Sequence, residues 1–347
     1  VRVDAFDYHL PADRIAQEAR PRGTSRLLVL DRRTGAVAHR RFADLPELLR
    51  PGDLLVRNDV RVRPARLYGR DTENRLIEIF LLRPAAEGRR RWLALAKPGR
   101  RARPGRRIAF DAGVEAEIVG VADDGARTVL FGAPLDDGLL DRLGHTPLPP
   151  YIRREAGAPD RPQDRAAYQT VFAREPLAVA APTAGLHFTE EILEQIRARG
   201  VEIADLTLAV GAGTFKPVTV DDTDAHVLPP EDVALPGATR AAVAAARASS
   251  RRVVAVGTTV ARSLEADACR PDAAEPGDRR FATDLFITPG FEFRVLDGLL
   301  TNFHLPRSTL LMLVSAFADR ERVLAAYDEA IREGYAFYSF GDAMLVA

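Results

Sequence analysis

Apolar and polar positions alternate in short blocks from Ser25 onward, and SRLLVLDRRTGAVAHRRF reads as two short strands around an Asp-Arg-Arg-Thr-Gly turn. PGDLLVRN then reads as a turn followed by a further strand. Between Arg63 and Pro147 the texture shifts to short strands separated by turn signals. LIEIFLL, RWLALA, RIAF, VEAEIVGV and TVLFG are among them, with Asp123-Asp-Gly125 as a hairpin turn. No helix-period segment interrupts them before Leu135. The pattern predicts a small antiparallel β-barrel, residues 63–147, inserted into a large α/β domain made of residues 1–62 and 148–347. Proline-rich PLPPYI (147–152) reads as the return linker.

After that linker the pattern is that of helices and parallel strands. LAVAA (177–181) reads as a buried strand, Thr189 as the N-cap of a helix running to Arg199, and Gly200 as its stop. VEIADLTLAV (201–210) is the next strand, which makes the three elements a βαβ unit. RVVAV (252–256) precedes a helix through Ala261 to Ala266, and LLTNFHLP (299–306) precedes a helix that starts at Ser308. In an open parallel sheet, ligands lie beyond the carboxyl ends of the strands, where loops converge and helix N-termini present free N–H groups. Four segments end elements there with small and polar residues: PTAGLHF (182–188), GAGTF (211–215), GTT (257–259) and TNFHLPRST (301–309). Glycines allow close backbone approach, and threonine, asparagine and histidine supply directed hydrogen bonds.

Composition narrows the class. With 347 residues and 46% hydrophobic content the chain can bury an ordinary core, and its single cysteine, Cys269, excludes an intramolecular disulfide and a multi-cysteine zinc site. No apolar run is long enough to span a bilayer, and the expectation is a soluble cytoplasmic protein. Formal net charge is zero, which argues against a chain coated in positive charge, and 47 of the 49 basic residues are arginine, a bias that GC-rich coding explains as well as function does. The charge is unevenly placed, however. Gly88–Arg107 holds nine basic residues, no acid and one tryptophan, so Arg89, Arg91, Trp92, Lys97 and Arg101 are candidate RNA contacts, against the plainer reading of a solvated hairpin.

The candidate pocket lacks GxxxxGK[ST], and Gly211-Ala-Gly213 is followed by Lys216 where a third glycine would complete the dinucleotide fingerprint. Polyphosphate and NAD therefore fall in rank, and no HExxH or paired metal spacing points to a catalytic metal. A loop histidine, with an ordinary pKa of about 6.5, serves either as an acid/base or as a hydrogen-bonded packing residue. For His187 and His304, which lie in two of the four loops, the sequence leaves both readings open. His9, His39 and His145 lack that context and read as surface or local hydrogen-bonding residues.

Taken together, APTAGLHF, VGAGTFKPV, VAVGTTVARSLE, TDLFITPGFEF and LDGLLTNFHLPRSTLLMLVSAFA closely resemble the S-adenosylmethionine:tRNA ribosyltransferase-isomerase family of queuosine biosynthesis. SRLLVLDR, PGDLLVRN, RPARLYGR, PLPPYI, YQTVFA and FGDAMLV match it as well, so the resemblance is collinear over nearly the whole chain. It implies a β-barrel inserted in an α/β domain. It also implies transfer and isomerisation of the ribosyl group of S-adenosylmethionine onto 7-aminomethyl-7-deazaguanine at the wobble position of a tRNA with a GUN-type anticodon. Epoxyqueuosine forms, and adenine and methionine leave. S-adenosylmethionine is then a substrate, with no permanently bound cofactor, and a monomer is expected. The resemblance places His187 and His304 as acid/base candidates. Thr183, Thr214, Thr258, Thr259, Asn58 and Asn302 become hydrogen-bonding groups, and Gly185, Gly211 and Gly213 points of close approach. Arg26 and Arg262 are candidates for carboxylate or phosphate recognition.

Two strings depart from the family pattern. Where members usually read Asn-Asn-Thr/Ser-Arg-Val, this chain has Asn58-Asp59-Val60-Arg61-Val62, and a His-x-Met-His-x-Glu string is here His226-Val-Leu-Pro229-Pro-Glu231. The alternative expectation is a divergent paralogue that binds S-adenosylmethionine or tRNA without this catalysis; an ordinary methyltransferase is disfavoured because the chain lacks the Gly-rich N-terminal βα turn expected of one.

Overall fold

The Leu54–Asn58 strand is buried at all five positions, as a strand covered on both faces must be. It lies near the middle of a nine-stranded sheet in the computed structural model, which describes residues 1–85, 88–211, 218 and 220–347. In order across the sheet run Arg279–Thr283, Glu231–Leu235, Glu202–Leu208, Leu54–Asn58, Val253–Val256, Gly298–Asn302, Ala343–Val346, Arg26–Leu30 and Val37–Arg41. The four strands from Glu202–Leu208 to Gly298–Asn302 are mutually parallel, so Leu208, Asn58, Val256 and Asn302 end on one edge. Ala343–Val346 runs antiparallel to Gly298–Asn302, with Ala343 opposite Asn302.

Two compact units make up the chain, residues 1–61, 169–175 and 181–347 in one, residues 62–168 and 176–180 in the other. The first holds the sheet. One core layer joins Leu55, Val254, Val256 and Leu300 of the sheet to Phe188, Ile192, Leu193 and Ile196 on and beside the Glu190–Ala198 helix. Thr189 caps that helix as its sequence predicts, its hydroxyl accepting from the Ile192 N–H at 3.2 Å, and Ser308 caps Thr309–Ala318 in the same way.

The second unit is built on a closed six-stranded antiparallel barrel in the order Arg127–Phe131, Arg91–Lys97, Leu76–Pro84, Arg66–Asp71, Arg107–Ala109 and Glu115–Val121. The predicted strands appear in it, and Gly125 supplies the left-handed φ of +83° that the predicted hairpin needs. Closure removes the sheet edges that short exposed strands would otherwise present. The large α/β sheet and the small barrel thus agree with the expected fold class.

Two expectations change. The second unit runs past Pro147, because Arg154 makes a bidentate bond to Asp164 at 2.7 and 2.9 Å and Asp160 binds His145 and Thr146. PLPPYI is therefore internal to that unit. The segment expected as strand LAVAA is a strand only at Glu175–Ala178 and pairs with Val60–Val62, outside the large sheet. Leu177 is 44% exposed, whereas a central parallel strand is covered on both faces. The helix before Glu202–Leu208 consequently belongs to no βαβ unit with it.

Candidate active site

The carboxyl edge of the parallel strands gathers most of the residues singled out in the sequence. Across the sheet, the next parallel strand in the chain, Glu202–Leu208, lies on one side of Leu54–Asn58, and the two after it, Val253–Val256 and Gly298–Asn302, lie on the other. That reversal is the topological switch point at which open α/β sheets leave a crevice. Asn58 stands there. Its Oδ1 accepts from the N–H groups of Val60 and Leu208, both at 3.1 Å. Its Nδ2 donates to Leu208 O at 3.1 Å and reaches Thr259 Oγ1 at 3.5 Å. The side chain clamps two strand ends and spends its hydrogen-bonding capacity doing so.

Across the crevice, Gly257 turns the chain from strand into the Thr258–Ala268 helix with φ +92°, a conformation that other residues adopt only under strain. The free N–H groups of this helix N-terminus face the same edge. Ala184 packs against Gly257, since a Cβ built there would lie 3.6 Å from the Ala184 Cβ. This brings in the Thr183–His187 turn, a 3-10 turn closed by Gly185 N–H to Pro182 O at 2.8 Å. Gly185 itself is pressed on Phe172 and Thr170, where a Cβ would come within 2.8 Å of both side chains. Thr258 is buried, and Thr183 and Thr259 are half-buried.

His187 ends the turn, 4% exposed, with both ring nitrogens engaged. Asn302 Nδ2 faces two acceptors, His187 Nε2 at 3.1 Å and Tyr338 O at 3.0 Å, which fixes the amide orientation. Nε2 is therefore the acceptor nitrogen, and Nδ1–H donates to Ser25 Oγ at 2.9 Å. Burial, helped by the positive Arg22, lowers the His187 pKa to about 4. Asn302 Oδ1 is buried and accepts from no described residue.

His304 lies on the other side of the same strand end. Leu300 faces the core layer of the Glu190–Ala198 helix, and Asn302, two residues on, shares that face, whereas Thr301 points the opposite way and meets His304 Nε2 at 2.7 Å. Burial lowers the His304 pKa to about 3. Its backbone is pinned by two tyrosines: the N–H donates to Tyr327 Oη at 3.1 Å, and Tyr8 Oη donates to the carbonyl.

The two arginines proposed for anion recognition have protein partners. Arg262 is 7% exposed and donates through Nη1 to Glu231 Oε2 at 2.5 Å and through Nε to Leu285 O at 3.0 Å. Arg26 stacks on Tyr335, 3.8 Å from the ring centroid, beside Glu333. Gly213 and Thr214 lie outside the described residues; Gly211 is described, and its N–H donates to Glu231 Oε1 at 2.9 Å. Sequence reasoning missed Ser25 and Glu231. Ser25 carries no signal in the chain, but Glu231 closes the string in which only the histidine positions drew notice.

In the barrel, Trp92 is fully buried and its Nε1 donates to Arg89 O at 2.8 Å. The ring fills the barrel core and has no free face for a base, which removes it from the RNA contacts. Arg89 pairs with Asp137 at 2.7 Å, Arg91 and Lys97 are exposed, and Arg101 is half-buried.

Comparison with known proteins fixes the lineage. The model of a family described as queuosine biosynthesis protein matches residues 3–346. The chain belongs to that family. It is 51% identical to the S-adenosylmethionine:tRNA ribosyltransferase-isomerase of Heliobacterium modesticaldum and 50% identical to that of Moorella thermoacetica, in each case over 100% of both chains. The crystal structure of the S-adenosylmethionine tRNA ribosyltransferase of Thermotoga maritima matches with TM-score 0.57 and 39% identity, over 99% of this chain and 100% of that one.

Proposed function

We infer that this family member is itself an S-adenosylmethionine:tRNA ribosyltransferase-isomerase, forming epoxyqueuosine from aminomethyl-deazaguanine at the tRNA wobble position. The observation that carries the reading is full-length identity of 51% and 50% to relatives of that name, which favours it over a binding paralogue. On this reading S-adenosylmethionine is consumed as substrate, no cofactor is permanently held, and the partner is a tRNA with a GUN-type anticodon. The enzyme acts as a monomer in the cytoplasm.

The chemistry needs a proton acceptor near C5′ of the substrate, where the sulfonium acidifies the hydrogen. Loss of that proton gives an ylide that opens the ribose with departure of adenine; the aminomethyl nitrogen attacks, and closure of carbocycle and epoxide expels methionine. A positioned acid/base contributes about 10²- to 10⁴-fold, and alignment of two large substrates can contribute more. The crevice supports these tasks. Thr183 and Thr259 offer half-buried hydroxyls, and the Thr258 helix N-terminus suits a carboxylate or ribose oxygen. His187, with both nitrogens taken, acts as a positioning residue for the turn that carries Thr183. His304 has one ring nitrogen bonded and its Nδ1 without a partner among the described residues, so proton transfer falls to it.

The decisive assay incubates the protein with S-adenosylmethionine and tRNA bearing aminomethyl-deazaguanine, and follows adenine, methionine and the epoxyqueuosine nucleoside by mass spectrometry. All three, dependent on both substrates, are expected; binding of both without product overturns the reading. At saturating substrates, His304→Gln should lower the single-turnover rate at least tenfold, and a smaller change removes it as the acid/base.

A further inference from the structure

The second unit holds a cleft of about 840 Å³, lined wholly by its own residues. That volume lies within the range of small-ligand sites, about 300–1,000 Å³. Its wall carries a histidine held by a carboxylate: His145 Nδ1 meets Asp160 Oδ1 at 3.0 Å, and Asp160 Oδ2 accepts from the N–H and hydroxyl of Thr146, both at 2.6 Å. These bonds hold the Asp160 carboxyl at about 2, so it is ionised and fixes the ring. His145 Nε2 has no hydrogen-bond partner among the described residues. The imidazole and the Tyr68 ring meet edge to face, centroids 4.9 Å apart at 79°.

Charge on the remaining wall is mixed but not balanced. Asp71 is bound by both Arg75 and Arg106, and Asp141 by Arg165. Among the described residues this leaves Arg70 and Arg142, both exposed, without a carboxylate partner, against Asp111. Arg106 also reaches Thr72 and Glu73, which ties the cleft to the Lys97–Arg107 stretch. There Arg100, Arg103 and Arg107 are exposed with no carboxylate partner among the described residues. An aromatic ring, a free imidazole nitrogen, a carboxylate able to accept from base N–H groups, and cations at the rim suit a nucleotide better than either an anion or an apolar ligand.

We propose that this cleft seats a single-stranded nucleotide of the tRNA other than the one modified, with Tyr68 and His145 against the base and Arg70 and Arg142 on its phosphates. The proposal rests on the tRNA substrate inferred above. Phosphate neutralisation makes such binding salt-dependent and stacking makes it tolerant of sequence.

The test uses the full chain and a fluorescently labelled unmodified tRNA transcript. Tyr68→Leu should weaken binding about tenfold, and Arg142→Glu should weaken it severalfold and flatten the salt dependence; both should raise KM for tRNA and leave KM for S-adenosylmethionine within twofold. Arg320→Glu, the same charge change on the other unit, should cost less than twofold. Because Tyr68 is partly buried, circular dichroism and Trp92 fluorescence must match wild type before its result counts, and Arg142, being exposed, carries the test if they do not. Unaltered tRNA affinity in Arg142→Glu overturns the proposal, as does an equal loss in Arg320→Glu. Protection of the cleft by free 5′-AMP with no effect of either variant on tRNA would assign it to a free nucleotide and also overturn it. Product formation by wild type tests the enzymatic reading separately, since tRNA affinity is read without turnover.

Discussion

The buried Glu231–Arg262 pair offers the sharpest test of how the site is held. Glu231 is 8% exposed and Arg262 7%, and the carboxylate is doubly used, by Arg262 Nη1 at 2.5 Å and by the Gly211 N–H at 2.9 Å. Glu231→Ala leaves a guanidinium among carbonyls, with Leu285 O at 3.0 Å and Thr283 O at 3.5 Å as its remaining partners. Breaking one side of a buried pair costs about 3–5 kcal/mol, because the surviving charge keeps its desolvation penalty. Loss of the Gly211 bond adds roughly 1 kcal/mol. Replacing both partners with apolar residues, Glu231→Leu with Arg262→Met, removes that penalty and should be close to neutral.

Urea unfolding followed by two probes can separate the units. Trp92 is the only tryptophan and sits in the barrel core, so its fluorescence reports the barrel, while far-ultraviolet circular dichroism is weighted to the helices of the sheet unit. With a slope of about 3 kcal/mol per M, that total of about 4–6 kcal/mol should lower the dichroism midpoint of Glu231→Ala by about 1.3–2 M. The double variant should recover most of that shift, and a cycle with Glu231→Leu and Arg262→Met as its single variants should give a coupling energy of at least about 3 kcal/mol. A shift below about 0.2 M in the single variant, or a double variant worse than the sum of its singles, would refute the reasoning.

Three further outcomes are expected. His187 and His304 have folded-state pKa values of about 4 and about 3, below the ordinary value of about 6.5, so the unfolded chain takes up protons first as pH falls. Their contribution is complete above about pH 6.5 and is lost toward pH 4, by up to about 2.7 kcal/mol per pH unit for the two together; urea midpoints at pH 7 and pH 5 should diverge in wild type and converge in a doubly substituted His187→Gln, His304→Gln chain. Asp59 is buried, which raises its carboxyl pKa, and it accepts from Thr207 Oγ1 at 2.6 Å. Asp59→Asn should therefore keep or slightly raise thermal stability with kcat/KM within threefold, and a hundredfold loss would place the carboxylate in the chemistry. Gly185→Ala puts a Cβ 2.8 Å from Phe172 and Thr170 and should cost about 1–3 kcal/mol by overpacking, partly restored by Phe172→Leu; equal melting temperatures for wild type and Gly185→Ala would rule the clash out.

What the chain declared and what it hid follow one physical line. Elements whose pattern is local were legible: the 190–198 helix from Thr189 and its acids, the barrel strands from alternation, and the ends of Val253–Val256 and Gly298–Asn302 from Gly, Thr, Asn and His. Features set by long-range pairing were not. LAVAA is as apolar as any buried strand, yet only its first two residues belong to a strand, Glu175–Ala178, and that strand pairs with Val60–Val62, because pairing depends on where the chain has already been placed. Trp92 beside arginines looks like a stacking residue until barrel closure turns it inward, and that inside-or-outside choice is a property of register. The histidines show the same limit at atomic scale. Both loops were recognisable, but the reading of His187 as a positioning residue turns on Ser25 and Asn302, 162 and 115 residues away, which leave it no free nitrogen. The opposite reading of His304 turns on Thr301, only three residues away, because adjacent strand positions face opposite ways. Residue type therefore identifies which groups are capable of chemistry, and hydrogen-bond partners decide which of them remain free to perform it.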